Sequence, residues 1–542
     1  MNAWPLLEPL ARLRLLGRSR SPRTWRDVAS AASSVVAVIT TLAISAYVFL
    51  VFDDGMKHHS IAGGDEGYFV WCGWCITKGW IPYRDFMEFK PPFVFLTHAL
   101  AIKLYGFDRF QYRQLFTYFP LGAILALQLS LLSRRVDSVL AMGLTLGLIH
   151  LWVTPAFHDT ALSDTESIGL SYYFLAVGCL LARSRFQGLM QGLGAALLVC
   201  CALSKEPFLL STVVTWAACF FTSARKGSLH EDAVRYTKHA LIGVGVVLVA
   251  LGIYMVPTGA MSAYLRMVSR YAIIYRDPKL SLCAAAGFFE PTTPLNDLWR
   301  KWHAMVGDYA SFGRVGFLVP FAVASILYIR RTSVALLTAA GLACVAGFLA
   351  VAASDCPWSH YYNMFLGGLF FAFALGLVTM TPYFRAVARS GRILIRFAML
   401  TGLALAVWPR FEQERVAFGS RSFASPMAEP IPGSFEAVRK YTTPADRIVT
   451  SGNPIFYVQT NRRNAIRESN LFDMILGYYS GNTDEEKLRP VYDELVKNRP
   501  KLVFLDPAYP DRQTRHYRAL WAPFLADYHY TKLAEHIYLR PD

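Results

Sequence analysis

A cluster of charged and polar residues follows the first long apolar segment of the chain. It begins with Asp65-Glu66-Gly-Tyr68, continues through Gly79-Trp-Ile-Pro-Tyr-Arg-Asp85, and closes with Glu88-Phe-Lys90-Pro-Pro92. Ionisable groups beside a membrane span are costly and are retained mainly where they serve a function. A carboxylate can take a proton from a hydroxyl, and a lysine can neutralise a phosphate. These residue types therefore predict a site that holds a phosphate and deprotonates an acceptor hydroxyl.

The chain that must position these residues has the composition of a membrane protein. Of its 542 residues, 54% are hydrophobic and only 17% are charged, and the mean hydropathy is +0.32. A soluble domain rarely carries so little charge. Apolar runs of about 20 residues, the length that crosses a bilayer, recur along the sequence and predict a polytopic α-helical membrane protein with about eleven transmembrane helices.

Basic clusters between these runs assign an orientation. Arg134-Arg135, Arg225-Lys226 and Arg330-Arg331 fall on the side of the arginine-rich N-terminus, which the positive-inside rule makes cytoplasmic. Such clusters account for much of the net charge of +16, so nucleic acid is not expected as a partner. Asp65 falls on the opposite, outer side. The predicted spans cover approximately residues 32–52, 114–133, 138–154, 166–182, 188–204, 207–222, 240–257, 311–329, 334–353, 363–380 and 394–409.

Changes in hydropathy divide the chain into regions. They are a basic cytoplasmic leader over residues 1–30, a transmembrane domain over 31–410 and a small extracytoplasmic α/β domain over 411–542. Within the second region, the outer loop 53–112 contains an apolar stretch, 93–105, that is too short to span and is predicted to lie in the membrane interface. Apolar, β-branched runs at 447–451 and 501–506 predict two buried strands of the last region.

Other polar residues sit at the outer ends of predicted spans. In the second outer loop, Asp164 and Glu166 could orient a substrate or simply cap a helix, and with His158 they could hold a divalent cation. Lys205 could contact phosphate or extend its ammonium group to the interface. His360 and Tyr361 could contact phosphate or sugar, although an aromatic belt also explains the tyrosine.

Two cysteines of the outer loop have the spacing of a redox motif. Cys72-Gly-Trp-Cys75 lacks the surrounding βαβ pattern that a thioredoxin-like site requires. The spacing therefore favours two residues on one helical turn. A disulfide among Cys72, Cys75, Cys283 and Cys356 is left open.

The outer-loop residues resemble a known superfamily. Asp65-Glu66-x-Tyr68, Gly79-x-x-Pro82-Tyr83-Arg84-Asp85 and Lys90-Pro91-Pro92, followed by an interfacial helix that ends in Tyr105-Gly106, resemble the first outer loop of the GT-C glycosyltransferases. The branch that they resemble contains the aminoarabinose transferases, the protein O-mannosyltransferases and the rhizobial galacturonosyltransferases. The resemblance implies a GT-C fold and a transferase that moves a hexosyl, pentosyl or uronosyl group from a polyprenyl-phosphate donor of the undecaprenyl type to a lipid, glycan or protein.

The resemblance also implies roles for individual residues. Asp65 would be the catalytic base with Glu66 beside it, and Asp164 would be the second catalytic acid, with Glu166 as the alternative. The implied substrate- and phosphate-binding residues are Arg84, Lys90, Lys205, Arg270, His360 and Tyr361. Aminoarabinose transferases have a metal-binding Glu directly before the lysine, but this chain has Phe89 there. No metal ligand is therefore assigned and no cofactor is required, although a divalent cation is left open.

The implied setting is the inner membrane of a bacterium, with the site and the C-terminal domain in the periplasm and a role in cell-envelope lipopolysaccharide or polysaccharide synthesis. One displacement by the acceptor hydroxyl would invert the configuration at the anomeric carbon. Retention of that configuration would need a second carboxylate as nucleophile. A transporter or flippase is the main alternative, but the ionisable residues cluster at span ends rather than at the midplane. A non-catalytic assembly protein is the third hypothesis.

Overall fold

The structure is a computed structural model, and helices occupy most of its described part. The described residues are 25–58, 64–107, 111–156, 163–223, 229–274, 334–352, 361–397, 431–468, 481–506 and 517–541, with 296, 299–300, 302–303, 400–401 and 479. In chain order, the longer helices are α1 (Trp25–His58), α2 (Gly64–Thr77), α3 (Pro92–Tyr105), α4 (Arg113–Ser133), α5 (Ser138–Ala156), α6 (Thr165–Leu181), α7 (Gln187–Ala202), α8 (Phe208–Ser223), α9 (Leu229–Met255), α10 (Ala260–Ile274), α11 (Val334–Ala352) and α12 (Tyr362–Ala386).

Within the described ranges, three helices are long and apolar enough to cross a membrane. They are Arg113–Ser133, Ala233–Met255 and Asn363–Ala386. Other apolar helices are shorter, such as α6 with its 17 residues, whereas a straight span of the hydrocarbon core takes about 20 residues. The number of about eleven spans stays a prediction. The predicted span at 311–329 and most of the one at 394–409 lie outside the described residues.

The chain divides into two compact units that each combine distant parts of the sequence. The first unit comprises Met1–Gly55, Gln114–Val249 and Leu295–Ser422, and the second comprises Met56–Arg113, Ala250–Pro294 and Phe423–Asp542. Nearly all of the outer loop and of the C-terminal region thus belong to the same unit. The boundary at residue 410 between two separate domains remains a prediction.

The second unit contains a five-stranded mixed sheet. Its strands are β1 (Arg447–Thr450), β2 (Arg463–Asn464), β3 (Leu502–Phe504), β4 (Thr531–Ala534) and β5 (Ile537–Leu539), in the order β2-β1-β3-β5-β4. Strand β1 runs parallel to β2 and β3, while β5 is antiparallel to β3 and β4. The accompanying helices are α13 (Ser434–Tyr441), α14 (Ile455–Thr460), α15 (Asp484–Asn498) and α16 (Ala522–Asp527). Buried Val449 and Val503 pack with Trp521 and Phe524 from the region around α16.

Helix α2 packs closely on α3, and one glycine permits this approach. A Cβ atom at Gly73 would lie 2.6 Å from the Cβ of His98 and 2.8 Å from the backbone nitrogen of Ala99. Cys72 and Cys75 flank this glycine and are buried free thiols. The prediction that these cysteines share a helical turn is therefore confirmed, while Cys283 and Cys356 lie outside the described residues.

A buried carboxyl group makes the stability of the second unit sensitive to pH. Burial and the nearby charge of Glu494 raise the pKa of Glu468 above its ordinary value of 4.5. The folded state then binds the proton more tightly than the unfolded state, so stability falls as the pH rises through the raised pKa. We expect Glu468→Gln to raise the melting temperature at about pH 8 and to change it little at about pH 4. The exposed Glu485, replaced by Gln, is the control, and an equal shift at both pH values would contradict this expectation.

Candidate active site

The first two motif residues lie in the first turn of α2. Asp65 follows the first residue of the helix Gly64–Thr77, and its side chain lies outside the described part of the structure. The amino end of a helix carries partial positive charge, which favours the ionised form of a carboxylate placed there. The backbone of Asp65 lies at such an amino end.

Glu66 is buried and fully engaged by two neighbouring side chains. Arg113 donates from Nε to Oε1 of Glu66 at 2.7 Å and from Nη2 to Oε2 at 2.6 Å, and the Tyr112 hydroxyl donates to Oε1 at 2.9 Å. Burial opposes ionisation, but the charge and hydrogen bonds of Arg113 and the Tyr112 hydroxyl outweigh it and lower the pKa of Glu66. Glu66 is thus a weak base whose geometry fixes the start of α2 against the start of α4.

In the loop between α2 and α3, two side chains form hydrogen bonds with the backbone of Lys90. Tyr83 has a left-handed φ of 65°, and its hydroxyl donates to the carbonyl of Lys90 at 2.8 Å. The buried Glu88 accepts at Oε1 from the backbone nitrogens of Phe89, at 2.8 Å, and Lys90, at 3.1 Å. Glu88 therefore helps to fix the backbone at the half-buried Lys90.

Arg84 lies on the same loop but binds other groups. Its guanidinium group pairs with the adjacent Asp85 at 2.7 Å and donates from Nη1 to the carbonyl of Thr258 at 3.1 Å. Half of its side chain is exposed. Arg270 is exposed on α10, whose Tyr264 packs on Tyr83 with ring centroids 4.8 Å apart. Both arginines therefore lie at the surface of the second unit.

Acidic residues at the start of α6 form a second polar cluster, within the first unit. Asp164 is the N-cap of α6, because its Oδ1 accepts from the backbone nitrogen of Ser167 at 2.6 Å. Glu166 forms a buried ion pair with Lys205 and accepts from the hydroxyl of Thr165 at 2.7 Å. The sequence left capping and substrate contact open for Asp164, and the structure places its carboxylate on the helix end.

Lys205 also contacts an aromatic ring. Its ammonium nitrogen lies 3.5 Å from the ring centroid of Tyr361, so two predicted site residues meet here. A buried ammonium group needs an anionic partner, and Glu166 supplies one. A phosphate oxygen could replace that carboxylate, because both are anionic acceptors for the same donor. His360 lies outside the described residues.

Sequence analysis missed the partners of Glu66. A signal for one was present, because Arg113 stands at the outer end of a predicted span, where positive charge is disfavoured. A basic residue in that position suggests a specific anionic partner. Tyr112 gave no comparable signal.

The described residues contain no group of three or more His, Cys, Asp or Glu side chains arranged to hold a metal ion. His158, which contributed to the predicted cation site, lies outside the described residues. A divalent cation therefore stays an open prediction.

The chain is similar in structure to membrane glycosyltransferases. The apo state of ArnT from Cupriavidus metallidurans is 13% identical, with a TM-score of 0.53 over 89% of this chain and 94% of ArnT. ArnT bound to undecaprenyl phosphate is 13% identical, with a TM-score of 0.50 over 89% of this chain and 95% of that one. The apo oligosaccharyltransferase of Archaeoglobus fulgidus is 12% identical, with a TM-score of 0.49 over 86% of this chain and 69% of that one.

The similarity to ArnT defines a fold class. No protein-family model matches the sequence, and no curated protein matches it either. ArnT is an aminoarabinose transferase of the GT-C superfamily. The chain has the GT-C fold, which confirms the resemblance predicted from the outer-loop residues at the level of the fold.

Proposed function

We propose that this protein is an integral membrane glycosyltransferase that transfers a sugar from a polyprenyl-phosphate donor to an acceptor on the outer face of a bacterial inner membrane. The observation that carries the proposal is the fold shared with ArnT, including ArnT bound to undecaprenyl phosphate. The outer-loop motif supports the same reading, since Asp65 begins a helix and Lys90 lies on a loop fixed by its own polar contacts.

The residue roles follow from the two polar clusters. Asp65 is the general base, and Glu66 holds its helix in place through Arg113. Lys90 binds the donor phosphate. Phosphate contact by Lys205, whose ammonium group lies against the ring of Tyr361, and by His360 remains an expectation from the sequence. Glu166 is the buried counter-ion of Lys205, and Asp164 caps the helix that carries Glu166. Arg84 and Arg270 bind the phosphate or an anionic acceptor at the surface of the second unit.

The chemistry is a single displacement. The acceptor hydroxyl oxygen attacks the anomeric carbon as its proton passes to the carboxylate of Asp65. The bond between the anomeric carbon and the phosphate oxygen breaks, and the lipid phosphate leaves with the electron pair. The ammonium group of Lys90 stabilises the charge that develops on that oxygen. This single displacement inverts the configuration at the anomeric carbon and requires one base.

Removal of the Lys90 charge tests the donor site. We expect Lys90→Gln to weaken the binding of undecaprenyl phosphate about 10- to 100-fold, because a hydrogen bond to a charged group contributes about 1.5–3 kcal/mol. Native mass spectrometry of the full chain in nanodiscs measures this binding. Lys103→Gln, on an exposed position of α3, is the matched control. Equal binding by both variants would remove Lys90 from the donor site.

A transporter or flippase for a lipid-linked substrate is the second candidate. The observation that favours it is the buried Glu166–Lys205 pair within a unit of apolar helices. The pair lies at helix ends, however, whereas transport sites lie near the bilayer midplane. Saturable flux into proteoliposomes without sugar transfer would support transport over transfer.

The proposal also covers the acceptor class and the biosynthetic process. Lipid A, core oligosaccharide, O-antigen, another envelope glycan and protein are the acceptor classes that a periplasmic GT-C transferase can serve. Lipopolysaccharide or polysaccharide synthesis is the process we propose on this basis.

A further inference from the structure

Residues 455–468 of the C-terminal region contact the outer loop within the second unit. Tyr457 of α14 packs against Trp71 of α2, with ring centroids 6.1 Å apart, and both side chains are fully buried. The guanidinium group of Arg463 lies 5.9 Å from the ring centroid of Trp80. The backbone nitrogen of Met87 donates to the carbonyl of Arg467 at 3.0 Å. Three contacts of different kinds thus join this segment to α2 and to the loop that follows it.

The loop that receives these contacts has little regular structure of its own. The loop between α2 and α3 has one isolated β-bridge, between Pro82 and Phe86, and Tyr83 adopts a left-handed conformation. Such a conformation persists only when surrounding contacts impose it. The bond from Met87 to Arg467 is made three residues before Lys90, so it can set the position of the lysine backbone.

The contacting segment is itself firmly held. Glu494 of α15 accepts from the backbone nitrogen of Arg467 at 2.9 Å, and its carboxylate lies 3.5 Å from Nε of the same residue. Asn464 donates to the carbonyl of Glu468 at 2.6 Å, and the hydroxyl of Tyr479 donates to the carboxyl group of Glu468. Asn498 of α15 donates to the carbonyl of Ala465 at 2.5 Å. The segment is therefore a rigid support tied to the sheet and to α15.

We propose that residues 455–468 are a positioning segment of the active site, which holds the loop 79–90, and with it Lys90, through Tyr457, Arg463 and the carbonyl of Arg467. The role of Lys90 as a phosphate ligand comes from the proposed function, whereas the positioning itself is a statement about the fold. The C-terminal region then contributes to donor binding without touching the donor, so its residues are positioning residues and not catalytic ones.

Paired variants test the segment in the full-length protein in nanodiscs. Tyr457→Leu removes the ring that meets Trp71, while Tyr457→Phe keeps the ring and removes only the hydroxyl that bonds to Thr450. Arg463→Ala removes the cation above Trp80, and Arg463→Lys keeps it. Arg463 is exposed, so its variants are expected to fold even where Tyr457→Leu does not.

Two readouts separate positioning from a general loss of structure. We expect Tyr457→Leu and Arg463→Ala to speed amide hydrogen exchange in peptides covering 79–90 and to weaken undecaprenyl phosphate binding about threefold to tenfold, while Tyr457→Phe and Arg463→Lys stay near wild type. Unchanged exchange over 79–90 in both disruptive variants would overturn the proposal. Faster exchange there, with binding insensitive to Lys90→Gln, would uphold the positioning segment while removing Lys90 from the proposed function.

Discussion

Asp65→Asn is expected to reduce sugar transfer about 10²- to 10⁴-fold, the range that a positioned general base contributes to catalysis. Asparagine has nearly the shape of aspartate but cannot accept the proton of the acceptor hydroxyl. Because Asp65 lies in the first turn of α2, the substitution should leave the helix intact. The donor should therefore still bind to the variant while the chemical step is lost.

Transfer can be measured by adding the purified protein to membranes from cells that lack the gene, which supply both donor and acceptor. Asp493→Asn is the matched control, since Asp493 is an exposed carboxylate on α15 paired with Arg489 at 3.0 Å. Undecaprenyl phosphate binding by the Asp65 variant should match that of the wild type. Full transfer by Asp65→Asn would eliminate Asp65 as the base.

Arg113→Met is expected to destabilise the second unit by about 3–5 kcal/mol, because it leaves the carboxylate of Glu66 buried without its charged partner. The loss should show as a large fall in the melting temperature. Glu66→Gln together with Arg113→Met should recover part of the stability, since the pair is then replaced by neutral groups of similar size. Arg84→Gln, which breaks the exposed pair with Asp85, should change the melting temperature little.

The same ion pair has a defined pH dependence. The pKa of Glu66 is lowered in the folded state, below its ordinary value of 4.5. The stability that it contributes is therefore present above that value and is lost as the pH falls through the lowered pKa. At acid pH, the wild type and Arg113→Met should therefore differ less in stability than they do at neutral pH. A constant difference down to the lowest pH at which the protein folds would contradict this account of Glu66.

Much of the helical architecture could be predicted from the sequence, because long apolar runs carry their own signal. The runs predicted at 114–133 and 334–353 are the observed helices Arg113–Ser133 and Val334–Ala352. The interfacial stretch predicted at 93–105 is the helix Pro92–Tyr105. The runs at 447–451 and 501–506 contain β1 and β3, whose buried β-branched and aromatic residues gave the pattern.

The grouping of these elements could not be predicted in the same way. Hydropathy separates 53–112 from 411–542 by a long predicted transmembrane region, yet nearly all of each range falls in one compact unit. The contacts between them depend on single residues, such as Trp71 with Tyr457, that have no periodic signature. Hydropathy patterns compare only residues that are close in sequence, so they do not predict tertiary contacts of this kind.

The candidate site shows the same limit. The sequence pointed to Glu66, Glu166 and Lys205 by their types and positions at helix ends. It did not pair Glu166 with Lys205, nor Glu66 with Arg113, because each pair joins residues far apart in the sequence. The pairings change the proposed roles, since a carboxylate that neutralises a buried cation is poorly suited to accept a proton.

The most direct test of the central claim is mass spectrometry of polyprenyl-phosphate sugars and envelope glycans in cells with and without the gene, complemented by the wild type or by Asp65→Asn. A lipid-phosphate glycosyltransferase predicts that cells without the gene accumulate one donor lipid and lack one sugar in a glycan. The wild type should restore both, and Asp65→Asn should restore neither. An unchanged donor pool with intact glycans would contradict the assignment and would favour transport instead.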